Sequence, residues 1–238
     1  MSFLKVNQLR LKLGEHQVLN GISFELAVGE FIIILGSNGS GKSSLLKTIY
    51  REYNITAGDI TLMGKHLAKY PYKPFYNKVA LLNQNYNQAL FNDLTISENF
   101  KLFSHNHDLK SEQEFIQDLK RYNDKFRSID KLEQTKVAKL SGGQKQTLAL
   151  LLLILRKPKL ILLDEHTSAL DKNAEESLMK LTYQIIKEHN ISCMMVTHNL
   201  DTATLYGDRI MIIKDGVISV ILEKKDTVMH KQLFLEYF

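Results

Sequence analysis

The 238-residue sequence holds a single cysteine, Cys193. No disulfide can close within the chain, and no cysteine-based zinc or redox motif can form. Cys193 lies in the run Ile191-Ser192-Cys193-Met194-Met195-Val196, where a small thiol reads as one more core side chain. Long apolar runs are missing too. The longest, Leu148 to Leu155, has eight residues, and a membrane-spanning helix needs about 20. Met1 to Leu13 alternates charged and apolar residues without the apolar core of a signal peptide, so a cytoplasmic location is expected. There is no low-complexity tract and no internal repeat. Neither sign of charge dominates: 31 basic residues against 26 acidic ones leave a net +5. No basic stripe with interleaved aromatics stands out, and a nucleic-acid groove is not expected. What remains, 44% hydrophobic and 24% charged, is the composition of an ordinary folded chain. Its length suits one large domain, or one domain with an inserted subdomain.

Along the chain, Leu4 to Phe31 reads as short strands. Phe31-Ile32-Ile33-Ile34-Leu35 is a continuous β-branched run, as in a strand buried on both faces. It leads through a glycine-rich loop into a helical pattern beginning at Leu45. Gly58 to Leu62 and Lys78 to Leu82 read as further strands. From Ser97 to about Lys139 the chain is charged and expected to be largely helical, with Phe115, Leu119 and Tyr122 on one face. Gln144 to Arg156 reads as a helix stopped by Pro158. Lys159 to Leu163 and Ile191 to Thr197 read as buried strands on either side of an amphipathic helix, Asn173 to Asn190, with Leu178, Leu181 and Ile185 on its inner face. Buried strands alternating with helices predict a parallel sheet. Asp215-Gly216 marks a hairpin turn. A short helix is expected from about Thr227, and no regulatory domain is expected beyond the hairpin.

Three segments carry chemistry. Gly36-Ser37-Asn38-Gly39-Ser40-Gly41-Lys42-Ser43 fits G-x-x-x-x-G-K-[ST], and Ser44 follows it. A triphosphate needs many donors and little steric bulk. Glycines let backbone N–H groups approach, and the helix that follows aims its positive end at the anion. Lys42 is expected to reach the β- and γ-phosphates, and the Ser43 hydroxyl to coordinate Mg²⁺. Leu160-Ile161-Leu162-Leu163-Asp164-Glu165 is an apolar strand ending in two carboxylates. In a phosphate-binding loop protein Asp164 suits the Mg²⁺ site, and Glu165 is placed to polarise an attacking water. Leu140-Ser141-Gly142-Gly143-Gln144 precedes a helix that Ser141 can cap, which makes a second phosphate-binding helix start. One ATP needs one cradle per chain, so the second is expected to act on the ATP held by another copy.

With these segments in this order and spacing, the chain resembles ATP-binding-cassette ATPases over nearly its whole length. The resemblance implies an α/β fold: a P-loop NTPase (RecA-like) parallel-sheet core, an N-terminal antiparallel β subdomain and an inserted helical subdomain. It implies one nucleotide-binding domain over 1–238, with core at 1–85 and 158–238 and the helical part at about 86–157. By resemblance Gln84 is the glutamine-loop residue near Mg²⁺ and the attacking water. Ser168-Ala169-Leu170-Asp171 is the D-loop, with Ser168 and Asp171 facing the partner subunit, and His198 is the switch histidine on the γ-phosphate. Ser141, Gly142, Gly143 and Gln144 act in trans. One departure stands out: family members usually stack adenine on an aromatic residue, and the matching position here is Leu13, with His16 close by.

The resemblance also implies ATP and Mg²⁺ as cofactors, a homodimer on ATP binding, and integral-membrane permease subunits. These would dock in a groove from Gln84 through Asn99 with Tyr86, Leu90 and Phe91 as apolar anchors. The segments around Asp164-Glu165-His166 and Thr197-His198-Asn199 are similar to importer ATPases thought to serve amino acids, which work with an extracytoplasmic substrate-binding protein. His166 is their distinctive letter. An exporter or lipid-handling ATPase, and a soluble ATPase acting as a mechanical switch, are the alternatives.

Overall fold

The computed structural model describes residues 2–83, 89–104, 111–168 and 170–224. In chain order the elements run β1 (Leu4–Leu13), β2 (His16–Leu26), β3 (Phe31–Leu35), α1 (Lys42–Ile49), β4 (Ala57–Leu62), β5 (Lys65–His66), α2 (Tyr72–Lys78) and β6 (Val79–Leu82). They continue with α3 (Ile96–Ser104), α4 (Glu112–Tyr122), α5 (Gly142–Ile154), β7 (Leu160–Asp164), α6 (Lys172–Glu188), β8 (Ser192–Val196), α7 (Leu200–Tyr206), β9 (Arg209–Lys214) and β10 (Val217–Glu223). The chain divides into two compact units. The first takes in the residues through Leu81, Lys159–Glu165 and those from Asn190 on. The second takes in Leu82–Pro158 and His166–His189, so that α6 groups with the other helices of that unit.

The first unit is built from two sheets. One is four-stranded in the order β2-β1-β4-β5 and antiparallel throughout. Its first two strands have 10 and 11 residues, longer than the short strands expected over Leu4 to Phe31. Two positions inside these strands are bulges. Gln8 takes φ 46° and Gly21 φ 82°, the register slips beside each, and pairing then resumes. The other sheet runs β10-β9-β3-β8-β7-β6, with β9, β3, β8 and β7 mutually parallel. Every residue of β3, β7 and β8 is buried, Cys193 included, as expected of parallel strands covered on both faces. Its register aligns the strand ends. Ile34 of β3 pairs with Val196 of β8, and Val196 pairs with Asp164 of β7, so three central strands end side by side. The crevice beyond the carboxyl ends of such strands is where open α/β sheets bind ligands.

In the second unit α5 is apolar on every side from Leu148 on. Leu148 through Leu153 are all buried, and α3, α4 and α6 pack around it. Its start is Gly142 rather than Gln144, because Ser141 caps it. The α4 helix opens with a Ser111–Glu114 capping box and buries Phe115 and Leu119, with the Phe100 and Phe115 rings 5.0 Å apart. The helical character expected to continue to Lys139 stops at Tyr122. Asn123 leaves the helix in an extended conformation, and three single-turn 3₁₀ segments follow at Asp124–Phe126, Leu132–Gln134 and Val137–Lys139. The buried side chains there are Phe126, Leu132 and Val137. Their five- and six-residue spacing cannot keep one helical face inward. Among the described residues no helix is long and apolar enough to cross a membrane. The segment from Thr227 lies outside the described residues.

Candidate active site

The loop between β3 and α1 sits directly on the aligned strand ends. Gly36 is buried with φ 149°, and a Cβ there would lie 2.1 Å from the Ile213 carbonyl oxygen. Only glycine lets the loop cross that close to β9. Ser37, Asn38 and Gly39 are exposed, while Ser40, Gly41 and Lys42 are buried, so the loop presents one open side. Its base is braced from behind. The Gly216 N–H donates to the Ser40 carbonyl at 3.1 Å, and the Asn20 N–H donates to the Gly216 carbonyl at 2.8 Å. The tip of the β9–β10 hairpin is thereby pinned between β2 and the loop.

The α1 helix begins at Lys42, has no side-chain cap and carries no acidic residue in its first turn. Its leading N–H groups are left for a ligand, and the helix dipole favours an anion there. Lys42 is buried, and its Nζ donates to the carbonyls of Gly36 and Ser37, both at 2.8 Å. Burial lowers its pKa, and the charges of Glu165 and Asp164 oppose that shift. Ser43 Oγ donates to Asp164 Oδ1 at 2.8 Å. Asp164, at the end of β7, is 6% exposed. Burial raises its pKa and the Glu165 charge adds to the rise, while the Ser43 hydrogen bond and the charges of Lys47 and Lys42 work against it. Ser44 sits in α1, its carbonyl accepting from Thr48 Oγ1 at 2.7 Å.

Glu165 follows with φ 47°, a left-handed conformation that a non-glycine residue adopts at a cost. Its N–H donates to the Val196 carbonyl at 3.1 Å. Its Oε1 lies 2.6 Å from Nε2 of His198, the second residue after β8. Lys42, Ser43, Asp164, Glu165 and His198 therefore gather at one edge of one sheet, as the sequence leads one to expect.

The next residue, His166, has turned inward. It is 1% exposed, its Nε2 lies 3.2 Å from Thr182 Oγ1, and burial pushes its pKa down to about 4. The Thr182 hydroxyl already donates to the Leu178 carbonyl at 2.8 Å, so Nε2 of His166 is the donor of the pair.

In the second unit, Ser141 and Gln144 close a reciprocal capping box on α5. Ser141 Oγ accepts from the Gln144 N–H, and Gln144 Oε1 accepts from the Ser141 N–H at 2.9 Å. Gln144 Nε2 also donates to the Lys125 carbonyl at 3.2 Å. A groove of about 780 Å³ opens over this helix start, lined by Ser141, Gly142, Gly143, Gln144, Lys125 and Asp171 among others. Asp171 is the N-cap of α6, accepting from the Ala174 N–H at 3.0 Å. Ser168 is exposed. Gln84, Tyr86 and Ala169 lie outside the described residues. Of the expected apolar anchors, Leu90 is 5% exposed and belongs to the interior, whereas Phe91 is 55% exposed. Buried Asn99 holds Phe91 by its backbone, accepting from its N–H at 2.9 Å and donating to its carbonyl at 3.0 Å. Leu13 and His16 face each other across the exposed β1–β2 turn.

Contrary to the expectation that the sequence holds no basic stripe with interleaved aromatics, one runs from Lys65 to Lys78. Four lysines alternate there with Tyr70, Tyr72, Phe75 and Tyr76, a basic and aromatic pattern that was available in the letters alone.

The ABC transporter family model matches residues 19–168. The tyrosine transport ATP-binding protein of Clostridioides difficile (strain R20291) is 34% identical over 227 residues, covering 88% of this chain and 84% of that one. The ATP-dependent lipid A-core flippase of Photorhabdus laumondii is 32% identical over 208 residues, covering 86% of this chain but 35% of the flippase. CbiO1 of Clostridium perfringens, part of the ABC transporter complex CbiONQ, has the same fold. It aligns with a TM-score of 0.83 at 24% identity over 99% of this chain and 94% of that one.

Proposed function

Since the chain belongs to the ABC transporter family, as an ATP-binding and ATP-hydrolysing component of a transport system, we propose that it powers import of a small solute such as an amino acid through separate permease subunits. The observation that carries this reading is the similarity to the tyrosine transport ATP-binding protein over most of both chains. The flippase similarity favours a lipid-handling exporter as the second reading, but it touches only a third of that protein. In the import reading residues 1–238 act as one nucleotide-binding domain on the inner face of the membrane. An extracytoplasmic binding protein delivers the solute.

At the site, Lys42 transfers its hydrogen bonds from the Gly36 and Ser37 carbonyls to the β- and γ-phosphates, joined by backbone N–H groups from Ser37 to Ser44. Mg²⁺ fits the donor set. A buried carboxyl beside a hydroxyl at 2.8 Å is short of positive charge. Among the described residues there is no cage of three or more His, Cys, Asp or Glu, and an ion that keeps its waters and takes phosphate oxygens needs none. Ser43, Asp164 and Gln84 would hold it, and it would supply neutralisation of charge on the phosphates. Glu165 orients the attacking water and accepts its proton, and His198 holds the γ-phosphate. The groove over Ser141, Gly142, Gly143 and Gln144 receives the ATP of a second copy, with Ser168 and Asp171 beside it, so that two copies close on two nucleotides. Hydrolysis loosens that closure and drives the permeases.

Reconstitution with the membrane proteins that co-purify from detergent-solubilised membranes tests the import reading. Proteoliposomes should take up labelled tyrosine or another amino acid only with ATP and a binding protein. ATP-driven movement of labelled lipid with no solute uptake would replace import by the lipid-handling reading.

A further inference from the structure

Five of the ten tyrosines fall between positions 50 and 76, and no acidic residue occurs from position 60 through position 92. In the first unit Tyr50, Tyr72 and Tyr76 meet beyond the C-terminal end of α1, while Tyr70 is buried behind them with its hydroxyl on the Leu62 carbonyl at 2.7 Å. Phe75 of α2 is buried, Tyr76 meets it edge-on at 5.1 Å, and Tyr50 meets Tyr76 edge-on at 5.1 Å. Tyr72 stacks with Tyr76 at 6.1 Å while standing 68% exposed. The Arg51 guanidinium lies 4.8 Å from the Tyr72 ring centre and 5.1 Å from that of Phe75, anchored by an Nη1 hydrogen bond to the Tyr70 carbonyl at 2.8 Å. The Lys65 ammonium sits 5.0 Å from the Tyr70 ring centre, and Lys69, Pro71, Lys73 and Pro74 are exposed along the same edge. Two carboxylates precede this stretch: Glu52, exposed next to Arg51, and Asp59, engaged by His66 at 2.7 Å.

We propose that this surface docks on an anionic lipid headgroup layer. A tyrosine with an apolar body and a polar tip suits the membrane interface. Lysines with long apolar stems can place their charge among lipid phosphates. The site assigned to ATP lies at the other end of α1 and uses none of these residues, and the inference holds for import and export alike. Nucleic acid is disfavoured, since Tyr72 already stacks with Tyr76 under Arg51 and no row of free rings is offered to successive bases.

The test is flotation of the purified chain with phosphatidylcholine vesicles and with mixed phosphatidylcholine–phosphatidylglycerol vesicles at low salt. The chain should float with the mixed vesicles only. A K65Q/K69Q/K73Q variant should lose about 100-fold in partitioning, taking about fivefold per lysine, and Y72S should weaken it further. A K139Q/K159Q/K180Q variant, of equal charge, should keep most of the binding. All should hydrolyse ATP in solution as the parent does. Equal binding to neutral vesicles, equal loss in both lysine triples, or no flotation overturns the proposal. So does capture of poly-glutamate or of an oligonucleotide in preference to the vesicles, which would make the partner an acidic protein or a nucleic acid.

Discussion

Glu165 Oε1 and His198 Nε2 lie 2.6 Å apart although 33 positions separate them in sequence. The pairing of β7 with β8 makes this possible. Asp164 is in register with Val196, Glu165 comes one residue after the first, and His198 two residues after the second. Glu165 is held at φ 47° by this arrangement, with its N–H bonded back to Val196.

An amide at position 165 can still accept the histidine hydrogen bond but cannot take a proton from water. Glu165→Gln should therefore fold and bind ATP while turnover falls by a factor of about 10² to 10⁴. Size-exclusion chromatography with ATP should show a trapped dimer. Phosphate release at the parent rate would remove Glu165 from the role of base.

Lys42 makes two hydrogen bonds to loop carbonyls, and its burial already works against its charge. Lys42→Ala should cost little in thermal stability and weaken ATP binding by about 100-fold or more, the scale of lost hydrogen bonds to a charged partner. Fluorescent-nucleotide titration beside a melting curve separates the two effects. Unchanged affinity would contradict its contact with phosphate.

The turn holding Leu13 offers adenine no ring but the imidazole of His16, and Leu13 is 37% exposed opposite it. Leu13→Tyr should tighten ATP binding by roughly tenfold, within the range of base–aromatic stacking. ATP and GTP should gain alike, because either purine offers a face to the new ring. Competition binding with the two nucleotides is the measurement, and no gain in affinity would mean that the base lies elsewhere.

His166 is neutral in the folded chain, its pKa lowered by burial from 6.5 to about 4. The unfolded chain takes up that proton first as pH falls. Stability is thus fully present above the ordinary histidine pKa and is lost as pH drops toward the folded value, a term on the order of 3 kcal/mol in full. The unfolding free energy from urea titrations should fall by about 2 kcal/mol between neutral pH and about pH 5 through this group. In His166→Gln the slope should flatten, and an identical slope would assign it to other groups.

Much of this was legible in the letters. Phe31 to Leu35, Leu160 to Asp164 and Ser192 to Val196 announce buried parallel strands by being apolar without alternation, and the loop glycines announce a close backbone approach that Gly36 makes against Ile213. The misses have physical causes. Periodicity reports a single element's inner face, and it fails where burial comes from turns. Phe126, Leu132 and Val137 are core residues carried by separate 3₁₀ turns, and Leu90 is interior although it sits in a polar stretch. The bulges at Gln8 and Gly21 are invisible for the opposite reason, since they interrupt the alternation without ending the strand. The inward turn of His166 depends on Thr182, 16 positions away, and no local pattern carries that.

The turn at Asp215-Gly216 has the letters of a free hairpin tip, the sort of place where a fluorophore, an epitope or a splice would ordinarily be put. Here it is a strut. Gly216 is buried, and it grips Ser40 with its N–H while Asn20 grips its carbonyl. Lengthening that turn by a single residue would slacken the backing of the glycine-rich loop between β3 and α1, and an engineer reading only the exposed letters around Asp215 would have no warning.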